Sequence, residues 1–531
     1  MRVLGIEGTA WAASAAVHAV ESDETAIFTD AYRPESGGIH PREAAEHMRE
    51  AIPGVVREAL DHAAAEAGGD SAPSVDAVAF SRGPGLGPCL RIVGTAARAV
   101  AGSLDVPLVG VNHMLAHLEI GRHRAGFDSP VCLNASGANA HLLGFHNGRY
   151  RVLGETMDTG VGNAIDKFTR HVGWSHPGGP KVEAAAERGE YVALPYVVKG
   201  MDFSFSGITS AAKEAYDDGA AVEDVCFSLQ EHVFGMLTEV AERALSLTGN
   251  DELVLGGGVG QNARLQEMLG EMCAQRGARF HAPEPRFLRD NAGMIAVLGA
   301  KMAAAGDTIS IEESRVRPNF RPDEVPVTWR ADEDVARAGD PADAGTQRGA
   351  EATVALSDAV VKRREPRAYR HPDLDARLRR ERTRGEARLL HDARRLGVPT
   401  PVVRDIDPRE ATLAMERVGD CDLRDRLTEA HVRAVGRHLA TLHGAGVVHG
   451  DPTTRNVRVD GRTWLIDFGL GYHSTHVEDF AVDLHVFEQS LAGTAADPDP
   501  LLDAFESAYR EAGDPAVIEQ LREVEGRGRY Q

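Results

Sequence analysis

Cysteine and long apolar runs are scarce in this chain of 531 residues. The five cysteines are scattered and form no Cys-x-x-Cys pair, which argues against a cysteine-based zinc site and a disulfide framework and is typical of a reducing cytoplasm. No apolar run reaches the roughly 18 residues that a membrane-spanning helix needs, and the chain starts directly in a strand pattern, without a signal peptide. We therefore expect a cytoplasmic protein with no membrane partner.

Lysine is nearly absent, so the other basic residues are all arginine or histidine, and the formal net charge is −22 with histidine counted as neutral. A GC-rich genome combined with an acidic surface is one explanation. We favour the other, a salt-loving (halophile) cytoplasm, in which acidic surfaces stay hydrated and soluble. At molar salt the Debye length falls to about 3 Å, so an acidic protein can still approach RNA through short-range contacts. The lysines are Lys167, Lys181, Lys199, Lys213, Lys301 and Lys362.

The chain is too long for one hydrophobic core, and its 43% hydrophobic residues are enough for about three compact units. An internal repeat supports this division, because residues 3–20 and 131–145 both read as strand, small turn and strand. Each hairpin opens a stretch of alternating strands and helices. This plan resembles the actin, hexokinase and Hsp70 group, whose hairpin turns bind phosphates. We predict an α/β, two-lobed actin-like ATPase (ASKHA) fold with lobes at about 1–125 and 126–320.

A polar segment follows these lobes. Residues 321–348 are rich in alanine, aspartate, proline and glycine and lack apolar periodicity. We place a linker at 321–340 and a smaller α/β unit at 341–531.

Two histidines four residues apart are the first candidate site. On a helix, His113 and His117 lie on one face and could share a metal ion. A peptidase of the H-E-x-x-H type needs glutamate after the first histidine, but this chain has Met114. Histidines at this spacing are also often ordinary surface or core residues. A metal-dependent peptidase with a kinase-like scaffold domain therefore stays as the alternative function.

Glycine-rich turns and one aspartate extend this candidate site. Residues 83–88 precede a predicted helix and could expose amides to an anion, while 178–180 and 256–259 allow close backbone approach to a nucleotide. Asp290 precedes an apolar helix, so it is either the N-cap of that helix or a third, carboxylate ligand.

Ordered motifs cover the first 320 residues, at 5–10, 40–47, 83–90, 112–117, 162–168, 177–183, 203–207 and 257–265. Together they resemble the universal tRNA threonylcarbamoyltransferase, the catalytic subunit of the archaeal and eukaryotic KEOPS complex. The resemblance implies transfer of a threonylcarbamoyl group from threonylcarbamoyl-AMP to N6 of the tRNA adenosine that lies 3′ of the anticodon, in tRNAs reading codons that begin with A. It also implies one divalent metal, iron in most members, with zinc as the other candidate.

The resemblance assigns roles to individual residues. Its metal ligands correspond to His113, His117 and Asp290. Many archaeal members have a metal-ligating tyrosine where this chain has Asn134, a weaker and neutral ligand. Ala138 replaces a usual glycine. The positions that hold threonylcarbamoyl-AMP correspond to Asn134, Ala135, Ser136, Gly137, Ala138, Asp166, Gly179, Glu183 and Asn262.

A second set of motifs lies near the C-terminus. Asp451 and Asn456 have the spacing of the protein-kinase catalytic loop H-R-D-x-x-x-x-N, with Gly450 in place of the arginine, and Asp467 begins an Asp-Phe-Gly sequence. We predict that Asp451 is the proton acceptor and that Asn456 and Asp467 hold magnesium. Ordinary polar turns are the alternative, but two ordered motifs favour a small protein-kinase-like α+β domain.

The ATP-binding elements of this unit depart from the kinase pattern. Lys362 is the lysine available for the phosphates, and Glu386 is its candidate ion-pair partner on the next helix. The glycine-rich loop is reduced to Gly349, Ala350, Glu351 and Ala352, and no Ala-Pro-Glu motif follows. Residues 362–372 and 526–529 resemble the small atypical serine/threonine kinase or ATPase of the same KEOPS complex. That resemblance implies ATP, magnesium and other KEOPS subunits as partners, namely a small dimerising subunit and a kinase-binding subunit.

Arginines crowd residues 363–395. They could form a solvated helix face or a surface that contacts tRNA phosphates. The cluster comprises Arg363, Arg364, Arg367, Arg370, Arg377, Arg379, Arg380, Arg382, Arg384, Arg388, Arg394 and Arg395.

Overall fold

A computed structural model describes residues 1–32, 40–66, 75–146, 148–331, 346–348, 352–356 and 359–526. Among the helices within these ranges, none has both the length and the apolar character that crossing a membrane requires.

The first sheet has five strands and is built around the N-terminal hairpin. Its strands lie in the order β3-β2-β1-β4-β5, with β1 antiparallel to β2 and parallel to β4. The elements are β1 (Arg2–Glu7), β2 (Ala12–Ala19), β3 (Glu24–Ala31), α1 (Pro41–Glu66), β4 (Ala77–Gly83), α2 (Gly87–Leu104), β5 (Leu108–Asn112) and α3 (His113–Ala125).

The second sheet repeats this topology. Its order is β12-β11-β6-β7-β8, so the second predicted hairpin again pairs with a parallel strand from later in the chain. The elements are β6 (Val131–Ala135), β7 (Ala140–His146), β8 (Arg149–Glu155), α4 (Val161–His171), α5 (Gly179–Ala186), β9 (Val198–Lys199), β10 (Asp202–Phe203), α6 (Ser206–Asp217), α7 (Val222–Thr248), β11 (Glu252–Gly256), α8 (Ala263–Arg276), β12 (Arg279–His281), α9 (Pro285–Leu288) and α10 (Ala292–Ala304). Both predicted hairpins and the two-lobed actin-like fold are confirmed.

Helix α10 leaves the second lobe and packs on the first sheet. The contact is close because Gly5 has no side chain: an added Cβ would lie 2.4 Å from the carbonyl oxygen of Ala292. The segment that leads into α10 therefore lies near the end of β1, and it carries Asp290. The residues after α10 pack against both lobes, since Phe320 and Val325 are buried in a core cluster that includes residues of each lobe, and Trp329 packs against that cluster.

The C-terminal unit has a sheet and a helical part, as a protein-kinase-like α+β domain does. The sheet order is β13-β14-β15-β17-β16, entirely antiparallel, and one long helix lies against it. The elements are β13 (Thr346–Arg348), β14 (Ala352–Leu356), β15 (Ala359–Arg364), α11 (Pro372–Arg395), β16 (Val403–Asp407), β17 (Thr412–Glu416), β18 (Cys421–Asp422), α12 (Glu429–Gly444), β19 (Val447–Val448), β20 (Val457–Val459), β21 (Thr463–Leu465), β22 (Tyr472–His473), α13 (Val477–Thr494), α14 (Asp499–Ala512) and α15 (Pro515–Gly526).

Candidate active sites

The two histidines of the first site lie on the first two turns of α3. The helix begins immediately after β5 because the Asn112 side chain caps it: its Oδ1 accepts hydrogen bonds from the backbone N–H groups of Met114 and Leu115 at 3.0 and 3.1 Å. With the helix start fixed, His113 and His117 lie one turn apart and are both buried. Their ring centroids are 4.9 Å apart.

Asp290 meets both histidines although it is far away in the sequence. Its Oδ1 lies 3.4 Å from His113 Nε2 and 3.2 Å from His117 Nε2. The N-cap of α10 is Asn291, whose Oδ1 accepts the N–H of Met294, so the N-cap alternative for Asp290 is wrong. The carboxylate of Asp290 is therefore free to serve as the third member of the cluster.

A fourth residue, Glu7 at the end of β1, orients the first histidine. Its Oε2 lies 3.1 Å from His113 Nδ1, while its Oε1 accepts the N–H of Thr9 at 2.7 Å. The Glu7 side chain is fully buried. Sequence reasoning missed this residue, although a buried acid at the end of an otherwise apolar strand, before Gly8, was a usable signal.

Burial and the nearby carboxylates shift the pKa values of the cluster in opposite directions. Burial alone would lower the pKa of His113, but the charges of Glu7 and Asp290 outweigh it and raise that pKa to about 10. Burial lowers the pKa of His117. The two imidazoles hold the pKa of Asp290 below its usual range against the effect of burial. The cluster thus favours a protonated, positively charged His113 beside an ionised, negatively charged Asp290.

The chemistry of these donors fits a divalent metal. One ligand atom from each of His113, His117 and Asp290 lies within 4.8 Å of the others, and two imidazole nitrogens with one carboxylate suit a transition metal. Asn134 lies beside this cluster: its buried Oδ1 has no hydrogen-bond partner among the described residues. A Cβ added to Gly256 would lie 3.3 Å from that oxygen and 3.4 Å from His117 Cβ. Asn134 can therefore present a neutral oxygen near the metal ligands.

Five of the predicted adenylate residues, 134–138, lie at the β6–β7 turn, which packs against the start of α4. Gly160 and Gly162 bring the start of α4 against this turn, since a Cβ on Gly160 would overlap the Ala138 carbonyl. The N–H of Asn163 donates to Gly137 O at 2.9 Å. The turn 134–138, including Ala135 and Ser136, is thereby fixed against the start of α4.

The other predicted adenylate positions lie on three further segments. Asp166 on α4 accepts the N–H of Gly178 at 2.7 Å, just before Gly179, where a Cβ would meet nothing within 4 Å. Glu183 on α5 accepts the N–H of Ala263 at 2.9 Å. Asn262 caps α8, and its Nδ2 donates to Gln230 on α7 at 3.2 Å. These hydrogen bonds fix the side chains of Asp166, Glu183 and Asn262, and the space beside Gly179 is open.

The second site gathers the kinase motifs between the sheet and the helical part of the C-terminal unit. Lys362 Nζ on β15 lies 2.9 Å from Glu386 Oε1 on α11 and 2.6 Å from Asp467 Oδ1. Burial alone would lower the pKa of Lys362, but the charges of Asp467 and Glu386 outweigh it and raise that pKa. Lys362 therefore carries a positive charge that two carboxylates hold in place.

The catalytic loop is held in a compact turn. Asn456 Nδ2 donates to the backbone oxygen of Asp451 at 2.8 Å and to its Oδ2 at 2.9 Å. Asp467 has a φ of +62°, a left-handed conformation that non-glycine residues rarely adopt and that is common at functional sites. Of the reduced glycine-rich loop, Gly349, Ala350 and Glu351 lie outside the described residues, and Ala352 lies on β14 opposite Arg364.

A second cation, not predicted from the sequence, also binds Glu386. Arg364 is buried, and its Nη2 lies 2.6 Å from Glu386 Oε2. A Cβ on Gly469 would lie 2.6 Å from the same nitrogen, so the glycine of the Asp-Phe-Gly sequence leaves room for this guanidinium. The carboxylate of Glu386 thus binds two cationic side chains of β15, Lys362 and Arg364.

Part of the arginine cluster is buried against the transferase-like unit. Arg370 is 4% exposed and pairs with Glu239 on α7, and Arg367 lies 3.2 Å from Glu242 on the same helix. Arg382 also pairs with Glu239, at 3.0 Å. The interpretation of the whole cluster as a tRNA-contacting surface is therefore wrong for these three arginines, because their guanidinium groups are used inside the molecule.

Comparisons with known proteins match a family to each of the two units. The sequence model of the tRNA N6-adenosine threonylcarbamoyltransferase family matches residues 23–297, and that of the lipopolysaccharide kinase (Kdo/WaaP) family matches 346–509. A Halobacterium salinarum protein named "Probable bifunctional tRNA threonylcarbamoyladenosine biosynthesis protein" is 70% identical, with 100% of this chain and 99% of the relative covered. A protein of the same name from Natronomonas pharaonis is 71% identical, with 100% of both chains covered. The crystal structure of T. kodakarensis HypF is similar with a TM-score of 0.40 and 14% identity, over 58% of this chain and 48% of that one.

Proposed function

This chain belongs to the tRNA N6-adenosine threonylcarbamoyltransferase family, and we propose that it transfers the threonylcarbamoyl group from threonylcarbamoyl-AMP to tRNA, releasing AMP. The acceptor is N6 of the adenosine 3′ of the anticodon, in tRNAs that read codons beginning with A. The chain is thus an N6-L-threonylcarbamoyladenine synthase joined to a serine/threonine protein kinase or ATPase. The observation that carries the proposal is the convergence of His113, His117 and Asp290 beside a glycine-bordered turn.

The residues of the first lobe pair would bind and orient the donor. The turn 134–138 and the amides around Gly179 bind the phosphate and the carbonyl, while Asp166, Glu183 and Asn262 fix the nucleotide. A divalent metal held by His113, His117 and Asp290 supplies a Lewis acid for the charge that develops on the donor. We propose iron for this metal, with zinc as the alternative and Asn134 as an additional neutral ligand.

The transfer step exchanges one bond at the carbamoyl carbon. The N6 amine of adenosine attacks that carbon, the bond from the carbon to the phosphate oxygen breaks, and AMP leaves with the electron pair. The amine loses one proton, which passes to solvent. An exocyclic adenine amine is a poor nucleophile, so positioning by these residues must contribute several kcal/mol, on the order of what well-oriented reactants gain.

The C-terminal unit would bind ATP and either regulate or drive the transferase cycle. Lys362, held by Glu386, contacts the phosphates, Asp467 and Asn456 hold magnesium, and Asp451 is the proton acceptor. We propose that the reduced glycine-rich loop, Gly349 to Ala352, takes part in ATP binding. We place this unit at 341–531, after a linker at 321–340 and the two lobes at about 1–125 and 126–320.

The proposed surroundings follow from the composition and the family. With a net charge of −22, the protein is suited to a salt-rich cytoplasm. We propose that it works with the other KEOPS subunits, a small dimerising subunit and a kinase-binding subunit. The peptidase alternative is weaker, since Met114 replaces the required glutamate and the family assignment accounts for the metal ligands. Casein digestion with and without a chelator tests that alternative.

The decisive experiment supplies the purified chain with threonylcarbamoyl-AMP and unmodified tRNA and measures the nucleosides by mass spectrometry. The expected product is threonylcarbamoyladenosine in tRNAs that read codons beginning with A, formed without ATP when the donor is provided. An identical reaction with His117→Ala is the control. Product of the same amount from that variant, or modification of tRNAs outside this set, would contradict the proposal.

A further inference from the structure

Four guanidinium groups line a groove of about 450 Å³ between α11 and the loop that joins β16 to β17. They belong to Arg379, Arg380 and Arg384 on the helix and to Arg409 on the loop. The rest of the lining is small and contains neither acidic nor aromatic side chains. The groove is therefore a concave surface dominated by positive charge.

Three of these arginines have no counter-charge in the part of the chain that the structure describes. Arg380, Arg384 and Arg409 are exposed, and none of them forms an ion pair with a residue in the described ranges. Arg379 is partly neutralised, since its Nε lies 2.7 Å from Asp375 Oδ2. Acidic residues do lie nearby, but they are used: Glu410 pairs with Arg363 at 3.6 Å, and Asp407 accepts the N–H groups of its own turn.

Helix α11 thus has two different arginine faces. One face is committed to the transferase-like unit, where Arg382 pairs with Glu239 and Arg377 donates to the backbone oxygen of Leu194 at 2.9 Å. The other face presents Arg380 and Arg384, one turn apart, to solvent. In a chain with 80 acidic and 58 basic residues, three unpaired arginines in one groove form a local reversal of charge.

We propose that this groove binds backbone phosphates of the tRNA substrate, on the kinase-like unit. The planar guanidinium group matches phosphate oxygens with two parallel hydrogen bonds, and it keeps its charge at every relevant pH. A protein-binding surface would need an apolar centre with large anchoring side chains, but the apolar lining here consists of Ala376, Pro408 and Ala411. The inference depends on the proposed function, which makes tRNA the substrate.

The groove would increase the affinity for tRNA, whereas the transferase site would determine which tRNA sequences are modified. Phosphate contacts carry no base information and add a salt-dependent term to binding. Each phosphate contact that is lost should reduce the slope of log K against log salt concentration by about one unit. The contribution should therefore appear with every tRNA, including tRNAs that are not modified.

The test compares R380E/R384E with R57E/R437E, which changes the net charge equally at exposed arginines on α1 and α12. The affinity for fluorescently labelled, unmodified full-length tRNA is measured by anisotropy over a series of KCl concentrations. Transfer from threonylcarbamoyl-AMP is measured in parallel at saturating tRNA. The single variant R409E provides a second measure from the other side of the groove.

We expect R380E/R384E to weaken tRNA binding by at least about tenfold, with a smaller salt slope, and R409E to weaken it by less. The transfer rate at saturating tRNA and the affinity of R57E/R437E should stay within about twofold of wild type. Equal affinities and equal slopes for the two double variants would overturn the inference, even if the groove variant lost an acidic protein partner. Failure of the wild-type chain to form product overturns the proposed function instead, so the two failures are distinguishable.

Discussion

The guanidinium of Arg382 on α11 lies 3.0 Å from the carboxylate of Glu239 on α7, and this ion pair joins the two catalytic units. Glu239 is 1% exposed and also accepts a hydrogen bond from Tyr196 at 2.7 Å. Helix α7 reaches the adenylate positions as well, through the bond from Asn262 to Gln230. The helix that carries Glu386 is therefore anchored on a helix that borders the transferase site.

We predict that Glu239→Gln destabilises the protein by about 3–5 kcal/mol, because it removes the buried carboxylate that Arg243, Arg370 and Arg382 share. The matched control is Glu223→Gln on the same helix, whose pair with Arg188 spans 3.9 Å between exposed side chains and should contribute less than about 1 kcal/mol. Urea unfolding followed by circular dichroism measures both variants. An equal loss in the free energy of unfolding for the two variants would show that the buried ion pair contributes no more than an exposed one.

His117→Ala should remove the metal from the purified protein, because two imidazoles and a carboxylate are the smallest donor set that holds it. The control is His123→Ala on the same helix, where the histidine pairs with Asp23 at 2.7 Å and lies outside the cluster. Metal content by inductively coupled plasma mass spectrometry gives the answer and also identifies the element. Full metal occupancy in His117→Ala would exclude this histidine as a ligand.

Glu7→Ala should weaken metal binding by about 10–100-fold without removing a ligand, because Glu7 fixes the ring of His113 through Nδ1. Glu7→Gln should recover part of the affinity, since its side-chain oxygen can still accept from that nitrogen. Competition with a coloured chelator measures the affinity, with Glu24→Ala on the exposed strand β3 as control. An affinity of Glu7→Ala equal to that of the control would limit Glu7 to its bond with Thr9.

The sequence predicts those parts of the sites that depend on residues close together in the chain, and it misses those that depend on distant residues. The two hairpins follow from short-range patterns, and Lys362, Asp451 and Asp467 follow from motif spacing. The contact between Glu7 and His113 joins residues 106 positions apart, so no local pattern contains it. Whether Asp290 is an N-cap or a metal ligand depends on the residue at which α10 begins. A shift of one residue changes the answer, and the sequence does not fix that start.

The arginine cluster shows the same limit. Composition reveals that α11 is basic, but it does not reveal which side of the helix packs on another unit. The buried carboxylates of Glu242 and Glu239, which pair with Arg367 and Arg370, lie on α7, more than 100 residues earlier in the chain. Arg364 lies only 22 residues from its partner Glu386, so it escaped prediction for a different reason: a lysine was expected beside Glu386 because kinases use one, and no motif specifies a second cation.

Lys362→Met should abolish ATP turnover, with a loss of at least about a hundredfold, because it removes the charge that faces the phosphates. Arg364→Met should cause a smaller loss, since Arg364 contacts Glu386 and acts by positioning it. Arg363→Met is the control on the same strand, where the side chain is 56% exposed. Phosphate release measures all three, and transfer from supplied threonylcarbamoyl-AMP should persist in each. An Arg364→Met loss equal to that of Lys362→Met would place both cations on the nucleotide.

Glu119 on α3 should make the protein sensitive to acid at a definite pH. The carboxylate is fully buried, with Lys301 Nζ at 2.8 Å and Arg122 Nε at 3.1 Å. Burial alone would raise the pKa of Glu119, but the charges of Lys301 and Arg122 and the hydrogen bond from Tyr150 outweigh it and lower that pKa from 4.5 to about 2. Since the folded value lies below the unfolded value, the ionised carboxylate favours the folded state above pH 4.5, and this contribution is lost as the pH falls toward 2.

A shift of this size corresponds to about 3 kcal/mol, since each pKa unit is worth about 1.4 kcal/mol. Glu119→Gln should therefore be destabilised at neutral pH, and its difference from wild type should shrink steadily below pH 4.5. Urea unfolding at several pH values between 7 and 3 measures that difference, with Glu58→Gln on the exposed face of α1 as control. A difference that stays constant over this range would mean that packing of the side chain, and not its charge, stabilises α3. Because α3 carries His113 and His117, loss of the Glu119 charge should also lower metal retention at acidic pH, which the control variant should not show.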